Sequence, residues 1–198
     1  MYRNCIKRIL DVIIGLLALP FVLLVIICCA PFILWTDRGP IFYNATRAGK
    51  DYMPFTMFKL RSMYVNSPDL KNPDGSTFNS ENDPRVTPIG RFMRKTSLDE
   101  FPQFLNVLKG DMSIIGPRPK LWSPDLKLID MPKDYRDSYL VKPGITGYAQ
   151  AFYRNSITQD EKFHWDAYYA KNINLWMDFK IVIKTIYIVI LRKNVNTI

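Results

Sequence analysis

The sequence predicts an α+β fold that is mostly helical, with a re-entrant membrane helix near its N-terminal end, amphipathic interfacial helices and a small β element. Three observations predict it. An uncharged run extends from Val12 to Trp35, and ~20 such residues suffice to cross a bilayer. Segments of helical character occupy residues 159–171, with several aromatic side chains, and 175–191, which is apolar. Short strand candidates bounded by turn residues lie between. We therefore expect a membrane segment over residues 1–36 and a globular domain with a membrane-associated face over residues 37–198.

The membrane segment is predicted to enter and leave the bilayer by the same face. Basic residues flank both ends, so the positive-inside rule gives neither end an outward preference; they are Arg3, Lys7 and Arg8 before, and Arg38, Arg47 and Lys50 after. Pro20 favours a kink or break. The pieces around it, roughly 12 Å and 22 Å long, are each shorter than a hydrocarbon core of ~30 Å. A single spanning helix is the alternative. A cleaved signal peptide fits poorly, because the run is too long and lacks a small-x-small cleavage site.

The composition points to acidic partners and a reducing compartment. The chain has 198 residues and a formal net charge of +9, which suits nucleic acid, anionic membrane surfaces or phosphorylated substrates. The cysteines Cys5, Cys28 and Cys29 all lie near the N-terminal end, so the domain has no disulfide framework. A single histidine, His164, argues against a zinc site. An oxygen-liganded Mg²⁺ remains open.

The domain is predicted to begin with short strands and then a long loop. Strand candidates are Ile41–Tyr43 and Phe55–Leu60, with a turn over Arg47–Asp51 between them. The polar stretch Tyr64–Pro88 contains several prolines and no apolar period, and it is typical of a surface loop.

Three helical regions follow the loop. Ile89–Leu108 is predicted to be mostly helical, with an interruption near Ser97 and an end at Gly110. Gln159–Lys171 is predicted to form a second helix. Leu175–Leu191 is apolar and carries lysines four residues apart, at 180 and 184, which is typical of an interfacial amphipathic helix. A buried core helix is the alternative there.

Asp99 and Glu100 are the candidate chemical centre of the chain. These adjacent carboxylates lie among the cations Arg91, Arg94, Lys95 and Arg118, an arrangement that suits a phosphate-bearing substrate. A position near a helix N-terminus would keep them ionised, so that Asp99 is a competent nucleophile. The alternative for Glu100 is structural, because Ser97 and Glu100 form an S-x-x-E capping box.

Two turns complete the pattern of the domain. In Gly116-Pro117-Arg118-Pro119, the prolines restrict the backbone and fix the direction of the guanidinium; a surface turn with an incidental arginine is the alternative. The glycines of Lys142–Gly147 allow the backbone to approach something closely, but their spacing is not that of a nucleotide-binding motif.

The chain resembles the small bacterial monotopic phosphoglycosyl transferases, which initiate glycan assembly. The resemblance covers nearly the whole chain and rests on several motifs in order: KRILD at 7–11, the proline-containing apolar segment, FKLRSM at 58–63, SLDEFPQFLNVLKGDMSIIGPRP at 97–119, KPGITGYAQ at 142–150 and YYAKN at 168–172. One departure is Leu19, since family members often have Ser before the helix-breaking proline.

The resemblance implies roles for particular residues. Asp99 resembles the family's nucleophile, and Glu100 resembles its Mg²⁺ ligand. Arg118 matches the arginine of the Pro-Arg-Pro motif, which helps to hold the nucleotide sugar. The basic positions Lys59, Arg94 and Arg154 are placed near phosphates by the same resemblance.

The implied reaction joins a soluble donor to a lipid acceptor. The phosphosugar of a UDP-sugar would pass to polyprenol (undecaprenyl) phosphate through a covalent Asp99 intermediate, with release of UMP, at the cytoplasmic face of the bacterial inner membrane. One alternative is a glycosyl transferase that moves only the sugar and releases UDP. Another is a non-catalytic basic module that binds nucleic acid or anionic lipid, although we expect no nucleic-acid partner. The sequence does not specify the sugar.

Overall fold

The fold is that of a computed structural model, which describes residues 2–68, 70, 80, 83–154 and 156–191. Its first helix, α1, runs from Lys7 to Asp37, after a short π-helical turn at Tyr2–Ile6. In the described part of the chain, α1 is the one helix that is long and apolar enough to cross a membrane. Both Pro20 and Pro31 lie inside it. The break predicted at Pro20 is therefore absent, because a proline removes one hydrogen bond while the flanking turns keep theirs. The re-entrant path stays a prediction.

One face of α1 packs on the domain along the length of the helix. The buried residues of α1 recur at helical spacing and are Asp11, Gly15, Val22, Cys29 and Ile33. Gly15 permits the close approach to the helix that follows Glu100, since a Cβ atom at this position would lie 2.7 Å from Leu108 Cδ2. The opposite face of α1 exposes large apolar side chains, among them Leu17, Phe21, Ile27 and Trp35.

Two small sheets form the predicted β element. One is antiparallel with the order β2-β1-β4, and the other pairs β3 and β5 in parallel. Their strands are β1 (Ala45–Ala48), β2 (Pro54–Met57), β3 (Ser113–Ile115), β4 (Lys120–Leu121) and β5 (Gly144–Thr146).

The predicted strand boundaries were partly wrong. The candidate Ile41–Tyr43 makes only an isolated bridge between Phe42 and Leu60. The strand β1 instead begins at Ala45 and extends into the predicted turn at 47–51. This strand has no apolar alternation of its own, so pairing with β2 on one side and β4 on the other specifies it.

The helices largely follow the sequence pattern. They are α2 (Pro88–Thr96), α3 (Gln103–Lys109), α4 (Lys133–Ser138), α5 (Tyr148–Phe152), α6 (Gln159–Asn172) and α7 (Leu175–Leu191). The interruption near Ser97, the end at Gly110 and the last two helices are thus confirmed. The predicted loop 64–88 is irregular in its described residues up to α2, and its positions 69, 71–79, 81 and 82 lie outside them.

The last helix leaves an apolar face uncovered. In α7, Ile181 is fully buried against the domain, whereas Trp176, Phe179, Ile183 and Ile186 are about half exposed or more. The alternative of a buried core helix does not fit this exposure. The interfacial placement of α7 stays a prediction.

Candidate active site

Asp99 and Glu100 lie in a short 3₁₀ turn, Leu98–Glu100, between α2 and α3. Ser97 ends α2 in a left-handed conformation, with φ of 59°, and makes no side-chain cap to the turn. The capping-box interpretation of Glu100 is therefore wrong. Because Pro102 precedes the first residue of α3, the helix begins too late for Ser97 to cap it. The carboxyl of Glu100 is left for other contacts.

Backbone hydrogen bonds place Lys59 beside this turn. The amide of Leu60 donates to the carbonyl of Asp99 at 2.9 Å, and the amide of Phe58 donates to Oδ1 of Asn106 at 2.8 Å. Asn106 is fully buried on α3. With both neighbours tied down, Lys59 Nζ lies 2.8 Å from Asp99 Oδ2 and 3.5 Å from Glu100 Oε1.

Arg118 contacts Glu100 from the turn between β3 and β4. The amide of Gly144 donates to the carbonyl of Pro117 at 2.8 Å, and a Cβ atom on Gly144 would lie 2.1 Å from the Gly116 nitrogen. The glycine turn at 142–147, which the sequence predicted to allow a close backbone contact, thus makes that contact with the Pro-Arg-Pro turn. Arg118 Nη2 then lies 3.2 Å from Glu100 Oε1.

The site holds its carboxylates among cations. Burial acts to raise the pKa of Glu100, but the charges of Arg118 and Lys59 and their hydrogen bonds outweigh it and lower this pKa to about 2. In return, the charge of Glu100 raises the pKa of Arg118. Asp99 is only 2% exposed. Glu100 is therefore an anion at any physiological pH, and Asp99 is covered beside Lys59.

Two further predicted residues lie at the edges of this group. Nε of Arg94, on α2, donates to Ser62 Oγ at 2.9 Å; burial lowers the pKa of Arg94, and the charge of Asp99 partly offsets this. Burial and the charge of Arg118 lower the pKa of Arg154. The structure therefore brings Lys59, Asp99, Glu100 and Arg118 into direct contact. It places Arg94 close enough to Asp99, and Arg154 close enough to Arg118, for their charges to interact.

Sequence reasoning missed two residues of this region. Ser62, which is buried and holds Arg94, carries no signal beyond its place in FKLRSM. Arg47 was noted only as a cation flanking the membrane segment. Burial and the charge of Arg118 lower its pKa, and the charge of Glu100 opposes this. The strand pairing that brings Arg47 here is visible only in the folded chain.

The residues present fit a divalent cation bound together with a substrate. In the described part of the chain, no group of three or more His, Cys, Asp or Glu side chains could hold a metal ion. The ionised Glu100 offers an oxygen ligand, and Mg²⁺ commonly takes one or two carboxylates plus substrate phosphates. Lys59 and Arg118 both contact Oε1 of this carboxylate.

A second buried carboxyl, Asp166, lies behind the Pro-Arg-Pro turn. It is 2% exposed, and Lys120 Nζ lies 3.4 Å from its Oδ2, which accepts no hydrogen bond from the described residues. Burial raises its pKa from 3.8 to about 6, against the opposing charges of Lys120 and Lys162.

Replacing Asp166 should flatten the pH dependence of stability. Because the raised pKa makes the folded state hold the proton more tightly, this carboxyl's contribution to the free energy of unfolding falls as the pH rises from about 4 to about 6. The shift bounds the loss at about 3 kcal/mol. We expect Asp166→Asn to gain stability relative to wild type at pH 7.5 but not at pH 4, in urea denaturation of detergent-solubilised protein. The exposed Asp125→Asn serves as control, and equal effects at both pH values would contradict the burial argument.

With this geometry in place, the chain can be assigned to a family. A pair of carboxylates held by Lys59 and Arg118, between two helices that pack against a long apolar helix, suits a membrane-associated transferase that acts on phosphates. Residues 2–192 match the family described as bacterial sugar transferase. The chain belongs to this family, which confirms the resemblance drawn from its motifs.

Curated relatives share more than a third of their aligned residues with the chain. The undecaprenyl-phosphate galactose phosphotransferase of Salmonella typhimurium is 39% identical over 86% of this chain and 39% of its own length. The UDP-glucose:undecaprenyl-phosphate glucose-1-phosphate transferase of Escherichia coli is 37% identical over 93% of this chain and 40% of its own length. The sugar transferase EpsL of Bacillus subtilis is 35% identical over 96% of this chain and 90% of its own length. The chain thus spans about two fifths of the length of the first two relatives and most of the third.

Proposed function

We propose that the protein transfers a phosphosugar from a UDP-sugar to polyprenol phosphate and releases UMP. The observation that carries this proposal is the buried Asp99 beside Glu100, with Lys59 and Arg118 bound to the pair. The names of two relatives, a galactose phosphotransferase and a glucose-1-phosphate transferase, support transfer of a sugar phosphate. Because those names differ in the sugar, they leave the donor's sugar to experiment.

The first step forms a covalent intermediate on Asp99. A carboxylate oxygen of Asp99 attacks the sugar-linked phosphorus, and the bond from that phosphorus to the bridging oxygen breaks, so that UMP leaves with the bond's electron pair. Arg118 and Lys59 bind the phosphate oxygens on which charge accumulates. Because Lys59 contacts Oδ2 of the buried Asp99, attack through this oxygen requires the donor to displace Lys59 from it.

The second step regenerates the enzyme. A phosphate oxygen of the polyprenol phosphate attacks the same phosphorus, the bond to Asp99 breaks, and the product is a polyprenol-diphosphate-sugar. Glu100 would hold Mg²⁺, which supplies neutralisation of phosphate charge when bound.

The site is proposed to lie at the cytoplasmic face of the bacterial inner membrane. Both ends of α1 contact the same domain, which supports the re-entrant path. Near one end, Arg8 Nη1 donates to the carbonyl of Val107 at 2.6 Å. At the other, Asp37 pairs with Arg61 at 2.6 Å, next to Leu60 and its bond to Asp99. The uncovered apolar face of α7 would lie in the same interface.

The fate of the donor's two phosphates tests the reaction. With a UDP-sugar labelled at the β-phosphorus, we expect the label to appear in the polyprenol product and unlabelled UMP to be released. Label recovered in UDP would instead establish a glycosyl transferase. Label that stays in the donor, with salt-sensitive nucleic-acid binding, would favour a binding module. A panel of UDP-sugars run the same way identifies the sugar.

A further inference from the structure

We infer that Arg47 binds the phosphate of the leaving UMP, in a cradle that it forms with the Pro-Arg-Pro turn. The inference rests on the proposed function and adds a residue that the motifs do not assign. Arg47 lies on β1, where its Cα atom pairs with that of Leu121 on β4, while Ala48 pairs with Lys120. The antiparallel register therefore lays Arg47 alongside the chain that leaves Arg118.

The alternation of side chains along β1 sets the direction of Arg47. Residues two apart in a strand point to the same face, so Arg47 shares a face with Ala45. Ala45 packs in a core cluster with Val107 of α3 and with Met112. Arg47 therefore faces the side of the sheet on which α3 packs, and α3 begins at Gln103, shortly after Asp99 and Glu100.

The hydrogen bonding of Arg47 is incomplete. Its Nε atom is buried without a hydrogen-bond partner among the described residues. A buried guanidinium nitrogen without a partner is costly, and phosphate oxygens match the fork of an arginine. Lys59 and Arg118 already pair with Asp99 and Glu100, so Arg47 adds a cation beyond those that contact the two carboxylates. Such a site has room for added anions.

The contacts in the site indicate which phosphate Arg47 binds. Asp99 is contacted by Lys59, whereas Glu100 is contacted by Arg118, and Arg47 lies on the strand that pairs with the residues just after Arg118. In an in-line displacement the leaving oxygen departs opposite the nucleophile. If Asp99 attacks the sugar-linked phosphorus, the nucleotide phosphate lies on the far side, toward Arg47.

The two half-reactions separate this role from a structural one. In single-turnover experiments, Arg47→Gln should slow formation of the Asp99 adduct from the UDP-sugar by roughly 10- to 100-fold, the effect of losing a charge-assisted hydrogen bond. Transfer of the preformed adduct to polyprenol phosphate involves no nucleotide and should keep its wild-type rate. Arg47→Lys, which keeps the charge but not the fork, should fall between. Lys50→Gln, an exposed cation three residues away, should match wild type.

Equilibrium binding of UMP supplies a readout that needs no turnover. By calorimetry, Arg47→Gln should weaken UMP binding by a similar factor. Equal slowing of both half-reactions, or unchanged UMP affinity, would overturn the assignment. If the wild-type protein forms no adduct but Arg47→Gln still loses UMP affinity, the phosphate contact stands and the covalent scheme fails. If the wild-type protein forms the adduct but shows no UMP binding, the assignment of Arg47 fails and the covalent scheme stands.

Discussion

We expect Asp99→Asn to abolish turnover, with a loss of roughly 10³-fold or more, and to leave no phosphosugar on the protein. Asn keeps the size of the side chain and can still face Lys59, but its amide oxygen is too weak a nucleophile to displace UMP. Intact-protein mass spectrometry after incubation with the UDP-sugar alone measures this directly. The wild-type protein should gain the mass of one phosphosugar, and the variant should gain none.

Glu100→Gln separates the two carboxylates. It removes the charge that Arg118 and Lys59 bind but keeps the nucleophile, so the adduct should still form, more slowly. The exposed Asp125→Asn controls for a general effect of lost charge and should behave as wild type. Thermal unfolding of each variant shows whether it is folded. Full activity of folded Asp99→Asn, or a phosphosugar mapped to Glu100, would reject Asp99 as the nucleophile.

The sequence predicted well wherever local signals and tertiary contacts agree. α7 carries apolar residues throughout, and its predicted bounds, 175–191, are those observed. Gly110 ends α3 in the left-handed region, with φ of 101°, a conformation in which glycine avoids the steric cost of a Cβ atom. The bounds of α7 and the end of α3 could therefore be predicted from local sequence alone.

The sequence misled where a local motif competed with the geometry of the chain. Ser97 and Glu100 have the spacing of a capping box, yet Ser97 closes α2 and Pro102 delays α3. Strand β1 is specified by its pairing with β2 and β4 rather than by a pattern in its own sequence. For the same reason Arg47 could not be predicted: its role depends on a pairing between residues far apart in the sequence.

Family motifs predicted which site residues meet, while the structure supplies the reason that they meet. Lys59 has no local signature of a functional residue. It lies beside Asp99 because Asn106 and the backbone of Asp99 hold its two neighbours. The membrane helix is part of the same arrangement, since Leu108 of α3 packs against Gly15 and Met93 of α2 clusters with Cys29 and Ile33.

The topology of α1 should appear as an all-or-none difference in cysteine labelling. The helix is roughly 46 Å long at 1.5 Å per residue, more than a hydrocarbon core of ~30 Å. If it spanned the membrane straight, its two ends would lie on opposite sides. Yet Lys7 pairs with Asp178 at 2.8 Å, and Asp37 pairs with Arg61, in one domain. We therefore expect Cys5 and the domain to lie on the same side.

Two single-cysteine reporters measure this with a membrane-impermeant maleimide. One keeps the exposed Cys5 and replaces Cys28 and Cys29 by Ala. The other replaces all three and adds Asp125→Cys in the domain. Both should be protected in spheroplasts and labelled in inverted vesicles. Labelling of the Cys5 reporter alone in spheroplasts would establish a spanning helix.

The two prolines of α1 provide a matched pair of variants that test whether Pro20 keeps both ends of the helix on one side of the membrane. Pro20 lies inside the continuous helix, with roughly 20 Å of helix before it and 26 Å after it; a bend in the membrane at this point would leave two pieces, each too short to cross ~30 Å of hydrocarbon. Pro31 leaves roughly 36 Å before it, which is long enough. Both prolines are exposed, so neither substitution empties the core. Pro20→Ala should therefore make Cys5 accessible in spheroplasts in part of the population, or lower the yield of folded protein, whereas Pro31→Ala should leave labelling unchanged. Equal behaviour of the two variants would mean that the contacts at Asp178 and Arg61, rather than the proline, hold both ends on one side.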